Sequence, residues 1–224
     1  MTRMTNARIA GISYLLYIAV AYPGMVLNTR ATKGDTVAAK LATLSLHASD
    51  VRIIVITSFL SAMCAFALAV SLYRITRDAN EEIAAGGMIC RAAEGIVGAI
   101  TIMPTLSLLA IAHDASPPGD ASLQLAGFLL ASGDWTTLLA ASFFAVGSTL
   151  FCWLLMRARI IPLPLGILGF AGSAIIAVGL PLQLAGYLTA SMMRPMWIPI
   201  ALFEITVAFW FIIKGAREPR LAKQ

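Results

Sequence analysis

Apolar residues in this chain run continuously over long stretches rather than alternating with polar ones. Six such runs cover roughly 9–27, 53–73, 83–112, 136–156, 164–184 and 195–213. Each is long enough, at 1.5 Å per residue, to cross about 30 Å of hydrocarbon as a helix. Their length and lack of a two-residue period exclude barrel strands. The expected fold is therefore an all-α integral membrane protein, a single domain over 1–224 built as a bundle of about six transmembrane helices. The third run is overlong, and Pro104 within it predicts a kink. The first run could be mistaken for a secretory signal. It is about as long as a span and no A-x-A-like site follows it, so it reads as an uncleaved first helix.

Two connections carry patterns of their own. In NTRATKGDTVAAKLATLSLHASD, Val37, Leu41, Leu44 and Ala48 recur at helical spacing after Gly34 and Asp35. This predicts a short amphipathic helix at the outer surface with Asp35 as its N-cap. In HDASPPGDASLQLAGFLLASGDW, Pro117, Pro118 and Gly119 break structure. Residues 123–134, with Leu123, Phe128 and Leu130, then either re-enter the membrane as a half-helix or dock on the bundle.

Composition agrees with lipid as the solvent. Of 224 residues, 59% are hydrophobic and 12% charged, against about 25% charged in a soluble domain. The mean hydropathy is +0.86. The net charge of +5 does not imply nucleic acid, because Lys and Arg gather on cytoplasmic loops of membrane proteins. With the N-terminus inside, Arg3, Arg8, Arg74, Arg77, Arg157, Arg159, Lys214, Arg217, Arg220 and Lys223 fall inside. Arg30, Lys33, Lys40, Arg52 and Arg194 fall outside, and Arg91 lies within a span. This bias puts both termini in the cytoplasm, and the first outer loop holds most of the opposing charge. Trp135 and Trp197 fall near the outer boundary and Trp153 and Trp210 near the inner one, as in an aromatic belt.

The ionisable residues inside the spans need a reason to be there. On a helix, Gly87, Arg91, Glu94, Gly98, Thr101 and Thr105 share one face, while Ile89, Ile96, Ile100 and Met103 lie on the other. The charged face should point into the bundle. Glu204 sits midway along the last span, and antiparallel threading puts it within about 6 Å of the depth of Glu94. A charge at mid-bilayer costs about 2.5–3.5 kcal/mol or more. Arg91, Glu94 and Glu204 therefore read either as an ionic network pinning two helices or as a pocket for a ligand, an ion or a proton. One carboxylate is left in excess of the arginine.

Weaker candidates sit elsewhere. His113 and Asp114 end the third span, and His47 lies in the first outer loop. Neither histidine has a third metal ligand or an H-E-x-x-H pattern, so no metal and no cofactor is expected. Asp50 and Arg52 read as a solvated helix entry more readily than as an outer gate. Cys64, Cys90 and Cys152 lie in apolar runs without CxxC spacing and read as small buried residues. Gly166, Gly169, Gly172 and Gly179 suit close helix packing. No G-x-S-x-G and no phosphate-binding loop is present.

RIAGISYLLYIAVAYPG, LAVSLYRITRDANEEIA, the in-span Arg91, LLMRARIIPLPLGILGFAG and FEITVAFWFIIKG follow one another along the chain. This order resembles a bacterial multi-pass membrane family, domain of unknown function 4386, from about residue 8 to 215. The family pattern would match Asp35, Arg52, Arg91, Glu204, Trp210 and Gly215. Nothing is carried over for 115–135. The resemblance implies a membrane protein of the bacterial inner membrane, without an established activity.

Three functions remain open. The chain binds a small molecule, lipid or ion through the Arg91, Glu94 and Glu204 cluster, as a transporter-like or sensory protein, with Arg52, Asp35 and His113 as secondary candidates. Alternatively it is a structural or accessory subunit packing against partner helices, or an intramembrane lipid-modifying enzyme. No nucleophile or metal set supports the enzyme, and no inverted repeat is evident between the halves. The expected partners are the lipid bilayer, a small-molecule or lipid ligand, and a second copy or another membrane protein.

Overall fold

A computed structural model describes residues 2–114 and 119–217. The sequence signals at Pro117 and Pro118, and the basic residues Arg220 and Lys223, lie outside the described residues. Six helical segments among the described residues are long and apolar enough to cross a membrane. The first is α1 (Arg3–Ala31). The short α2 (Val37–Leu46) leads into α3 (Ala48–Thr76). The third segment divides into α4 (Glu81–Ile100) and α5 (Ile102–Ala112). It is followed by α6 (Asp120–Arg157) and α7 (Leu163–Leu184). A four-residue turn, α8 (Ala190–Met193), and one 3-10 turn enter α9 (Trp197–Ile213).

The spanning helices close into a ring. Contacts run from α1 to α3, α3 to α4, α4 to α6, α6 to α7, α7 to α9 and from α9 back to α1. Each seam is brought close by a glycine. Gly11 lies against Ala208 and Ile212, Gly24 against Thr57, and Gly95 against Ala62 and Ala65. Gly87 meets the ring of Phe151, Gly166 meets Met156, and Gly169 and Gly172 meet Phe203 and Pro199. Lipid tails offer no hydrophobic drive between helices, so such close van der Waals approach is what holds a membrane bundle together. The glycines of α7 are thus used up against α6 and α9 inside the molecule.

The predicted kink is a break. α4 ends at Ile100 and α5 begins at Ile102, with the Thr101 hydroxyl donating to the Gly98 carbonyl at 2.6 Å. Pro104 lacks the N–H that would bond Ile100 and crowds that carbonyl, so the ladder fails one turn before the proline. Ile89, Ile96, Ile100 and Met103 are exposed on the outer wall of the ring, as expected for a lipid-facing side.

At the far end of the bundle the structure selects between the two arrangements left open by the sequence. Residues 123–134 do not re-enter as a half-helix. They continue α6, whose 38 residues span about 57 Å, well beyond a hydrocarbon core of about 30 Å. The excess length has a partner. Ala126 of α6 packs with Leu41 and Leu44 of α2, Ala31, Val51, Ile54 and Leu108 in a second apolar cluster. The amphipathic helix therefore docks its apolar face on the bundle. Its N-cap is Thr36, whose hydroxyl accepts from the Ala39 N–H at 3.1 Å. Asp35 is one residue too early for that bond, and Ala48 belongs to α3.

The N-terminal face is tightly closed. Ile160 and Ile161 are buried in the link between α6 and α7, where Arg159 takes a left-handed φ of 52°. The Arg217 N–H donates to Ile160 O at 3.1 Å, and the Arg217 guanidinium lies 5.3 Å from the centre of the Trp210 ring. At Gly215, φ is 70° and the Met4 side chain lies close by, so the position requires a residue without Cβ.

A Cβ at position 11 would stand 2.6 Å from the backbone oxygen of Ala208, whereas one at position 98 meets nothing within 4 Å. Gly11→Ala is expected to cost about 1–3 kcal/mol by forcing the α1–α9 seam apart. Gly98→Ala is expected to be neutral or stabilising by up to about 1 kcal/mol. Thermal unfolding of the two variants in one detergent checks the contrast.

Candidate functional site

Three of the sequence candidates come together at the centre of the ring. Arg91 and Glu94 of α4 and Glu204 of α9 are buried, with 1%, 4% and 9% of their surface exposed. Arg91 Nη1 lies 2.9 Å from Glu94 Oε2. The approach is close, but the N–H does not point along it. None of the three guanidinium nitrogens, nor Oε2, has a hydrogen-bond partner among the described residues. The contact is therefore an ion pair held by charge rather than by a directed hydrogen bond. Glu94 Oε1 accepts from the Tyr17 hydroxyl at 2.8 Å. The guanidinium is covered by aromatic faces, 4.8 Å from the centre of the Phe144 ring and 5.9 Å from that of Tyr17. Room for it comes from Gly147 of α6, whose Cα side faces the Arg91 stem and the Gly87 carbonyl.

Arg91 thus pairs with the acid one turn along its own helix, and the anticipated direct bridge to α9 is not made. Glu204 forms no hydrogen bond or ion pair within 4 Å with any described residue. It feels Arg91 and Glu94 at longer range. Tyr17 and Phe144 escaped the sequence analysis. The available signal was a tyrosine hydroxyl in mid-span, away from either membrane boundary.

Beyond this floor the bundle is hollow. A cavity of about 440 Å³ runs between α1, α3, α4, α5, α6 and α9 toward the α2 end. Glu94, Glu204, Phe144 and Tyr17 line its deep end, and Lys40 and Asp134 its far end. Asp134 is ten residues from Phe144 on α6, which sets the length at about 15 Å. Between them are hydroxyl groups whose protons are directed into their own helices. Thr57 donates to Ile54 O at 3.0 Å, Thr105 to Thr101 O at 2.8 Å and Thr137 to Gly133 O at 2.8 Å. Their remaining lone pairs make the wall rich in acceptors. Gly98, Thr101 and Thr105, three members of the polar face expected from the sequence, line it.

The secondary candidates are elsewhere. Asp35, Arg52 and His113 are exposed and none borders the cavity. Asp50 turns to His47, at 3.2 Å, and to Arg30, at 4.0 Å, rather than to Arg52. Trp197 lines the cavity and stacks on Phe144 with centroids 5.9 Å apart. Trp153 packs on Phe170 at 5.5 Å. Among the described residues no three His, Cys, Asp or Glu side chains converge as for a metal ion.

Six apolar helices with ionisable residues turned inward define a multi-pass helical membrane protein. The model of the family described as Domain of unknown function (DUF4386) matches residues 9–215, and the chain belongs to that family. No curated protein and no solved structure matches the chain.

The geometry predicts which acid is coupled to Arg91. Removing one partner of a buried pair strands the other charge, at a cost of about 3–5 kcal/mol. In double-mutant cycles on unfolding, Arg91→Met with Glu94→Gln is expected to show coupling of at least about 1 kcal/mol. Arg91→Met with Glu204→Gln is expected to show less. The reverse order would mean that the guanidinium reaches across to α9.

Proposed function

We propose that this protein binds a small molecule within the membrane, in the cavity above the Arg91–Glu94 pair, and acts as a transporter-like or sensory component. The observation that carries the reading is the cavity itself. It lies between the helices of the ring, holds polar acceptors along its length, and has ionisable side chains at both ends. Its 440 Å³ falls within the range of about 300–1,000 Å³ typical of ligand pockets. An ionisable residue in a membrane interior is by default a functional one. The accessory-subunit reading has less support, since the α7 glycines that would serve partner helices are occupied within the ring.

The family resemblance implies the inner membrane of a bacterium, and the charge bias along the sequence supports both termini in the cytoplasm. The cavity then faces the outer side. A reporter enzyme active only outside the cytoplasm is expected to be silent when fused at the C-terminus and active when fused after residue 114. The opposite pattern would invert the orientation.

Gly98 offers a way to fill the cavity without disturbing a packed seam, since a Cβ there meets nothing within 4 Å. The wild type and Gly98→Leu are to be compared by native mass spectrometry from lipid nanodiscs. A bound small molecule or lipid is expected on the wild type and lost from the variant, with the unfolding temperature held or raised. Equal occupancy of both proteins would refute the binding role.

A further inference from the structure

The carboxylates around the cavity differ in burial and in partners. At the far end Asp134 is exposed and lies within the field of Lys40. At the deep end Glu94 is held by Arg91 and by the Tyr17 hydroxyl. Glu204 is more than nine-tenths buried, lines the cavity, and has neither a hydrogen bond nor an ion pair with a described residue. It is a buried carboxylate of the lining without a direct counter-charge among the described residues.

Its surroundings suit a particular kind of cation. Trp197 precedes Glu204 by seven residues on α9, so the two side chains project from one face, about two turns apart. Trp197 is stacked on Phe144, with their planes inclined by 19°, and both border the cavity. Electron-rich ring faces beside a carboxylate recognise ammonium groups carrying apolar substituents. A bare metal ion would need several oxygens converging on one point, and the lining hydroxyls are instead strung out along the helices. An anion is disfavoured, because the Arg91 guanidinium does not line the cavity whereas its partner Glu94 does.

We propose that the deep end of the cavity is a site for an organic monocation, with Glu204 matching its charge and the Trp197–Phe144 stack receiving its apolar body. This rests on the binding role given above and adds the charge of the ligand. The acceptor-lined passage toward Lys40 and Asp134 leaves room for a chain about 15 Å long, bearing hydrogen-bond donors.

The test uses three probes of similar shape on the full-length protein in nanodiscs: phenyltrimethylammonium, its neutral isostere tert-butylbenzene, and benzenesulfonate. Binding is read by saturation-transfer NMR, with empty nanodiscs subtracted. Phenyltrimethylammonium is expected to bind most tightly, to lose at least about tenfold in affinity in Glu204→Gln, and to lose severalfold in Trp197→Leu. Glu82→Gln is expected to leave its affinity within about twofold, because that exposed acid in the first turn of α4 does not line the cavity. An unchanged affinity in a folded Glu204→Gln protein, or preference for the neutral or anionic probe, overturns the cation site. If Gly98→Leu still abolishes binding of the preferred probe in that event, the cavity remains a binding site and only the charge assignment fails. If no probe shows binding that Gly98→Leu removes, both readings fall.

Discussion

The structure is organised around an arginine that cannot leave the membrane interior. Arg91 lies near the middle of a spanning segment and is 99% buried by a ring of helices. Its stem fits only because Gly87 and Gly147 let α4 and α6 approach, and its guanidinium is covered by Phe144 and Tyr17. Isolated in hydrocarbon this charge would be prohibitive; with Glu94 one turn away it becomes an ion pair whose components are carried by the same helix. The pair is therefore preformed as α4 forms. The ring has only to enclose it.

That enclosure divides the bundle in two. On the N-terminal side, Leu68, Leu72, Ile75, Phe151, Phe203 and Phe211 belong to one buried apolar core. On the other side lies the cavity, with a hydroxyl-rich lining, and the helix break at Thr101 separates α4 from α5 there. A second apolar cluster under α2 packs beside the hollow part. The overlong α6 is what links the two, since it runs from the N-terminal face past the pair and on to Ala126.

Much of this was legible from residue patterns. The spans follow from the length of the apolar runs, and the inward face of α4 from Gly87, Arg91, Glu94 and Gly98 at helical spacing. The break before Pro104 follows from a missing amide. Other features were not accessible because they depend on contacts between distant segments. A tyrosine in α1 selects which acid stays fixed, and Trp197, at the start of α9, lines an internal wall. For 123–134 the sequence left two arrangements open, a half-helix and docking on the bundle, and the choice depends on contacts of the same kind. A weakly apolar stretch next to a turn signal suits a half-helix, and only the docking of Leu41 and Leu44 explains why it extends a long one.

Stability alone does not call for the ion pair, since a well-packed apolar replacement of a buried pair is often as stable or more so. The placement of the three charges supports another purpose. Glu94 is engaged twice, by Arg91 and by Tyr17, and is therefore immobile. Glu204 is engaged by neither, yet it lies within the field of the same guanidinium. One positive charge behind the wall thus neutralises one carboxylate directly and moderates the cost of exposing a second to the cavity. Removing Glu204 would leave every hydrogen bond and ion pair described for the bundle intact. A buried carboxylate on which no described contact depends, held at the end of a polar cavity and supported electrostatically from behind, is better explained by what enters the cavity than by the folding of the helices around it.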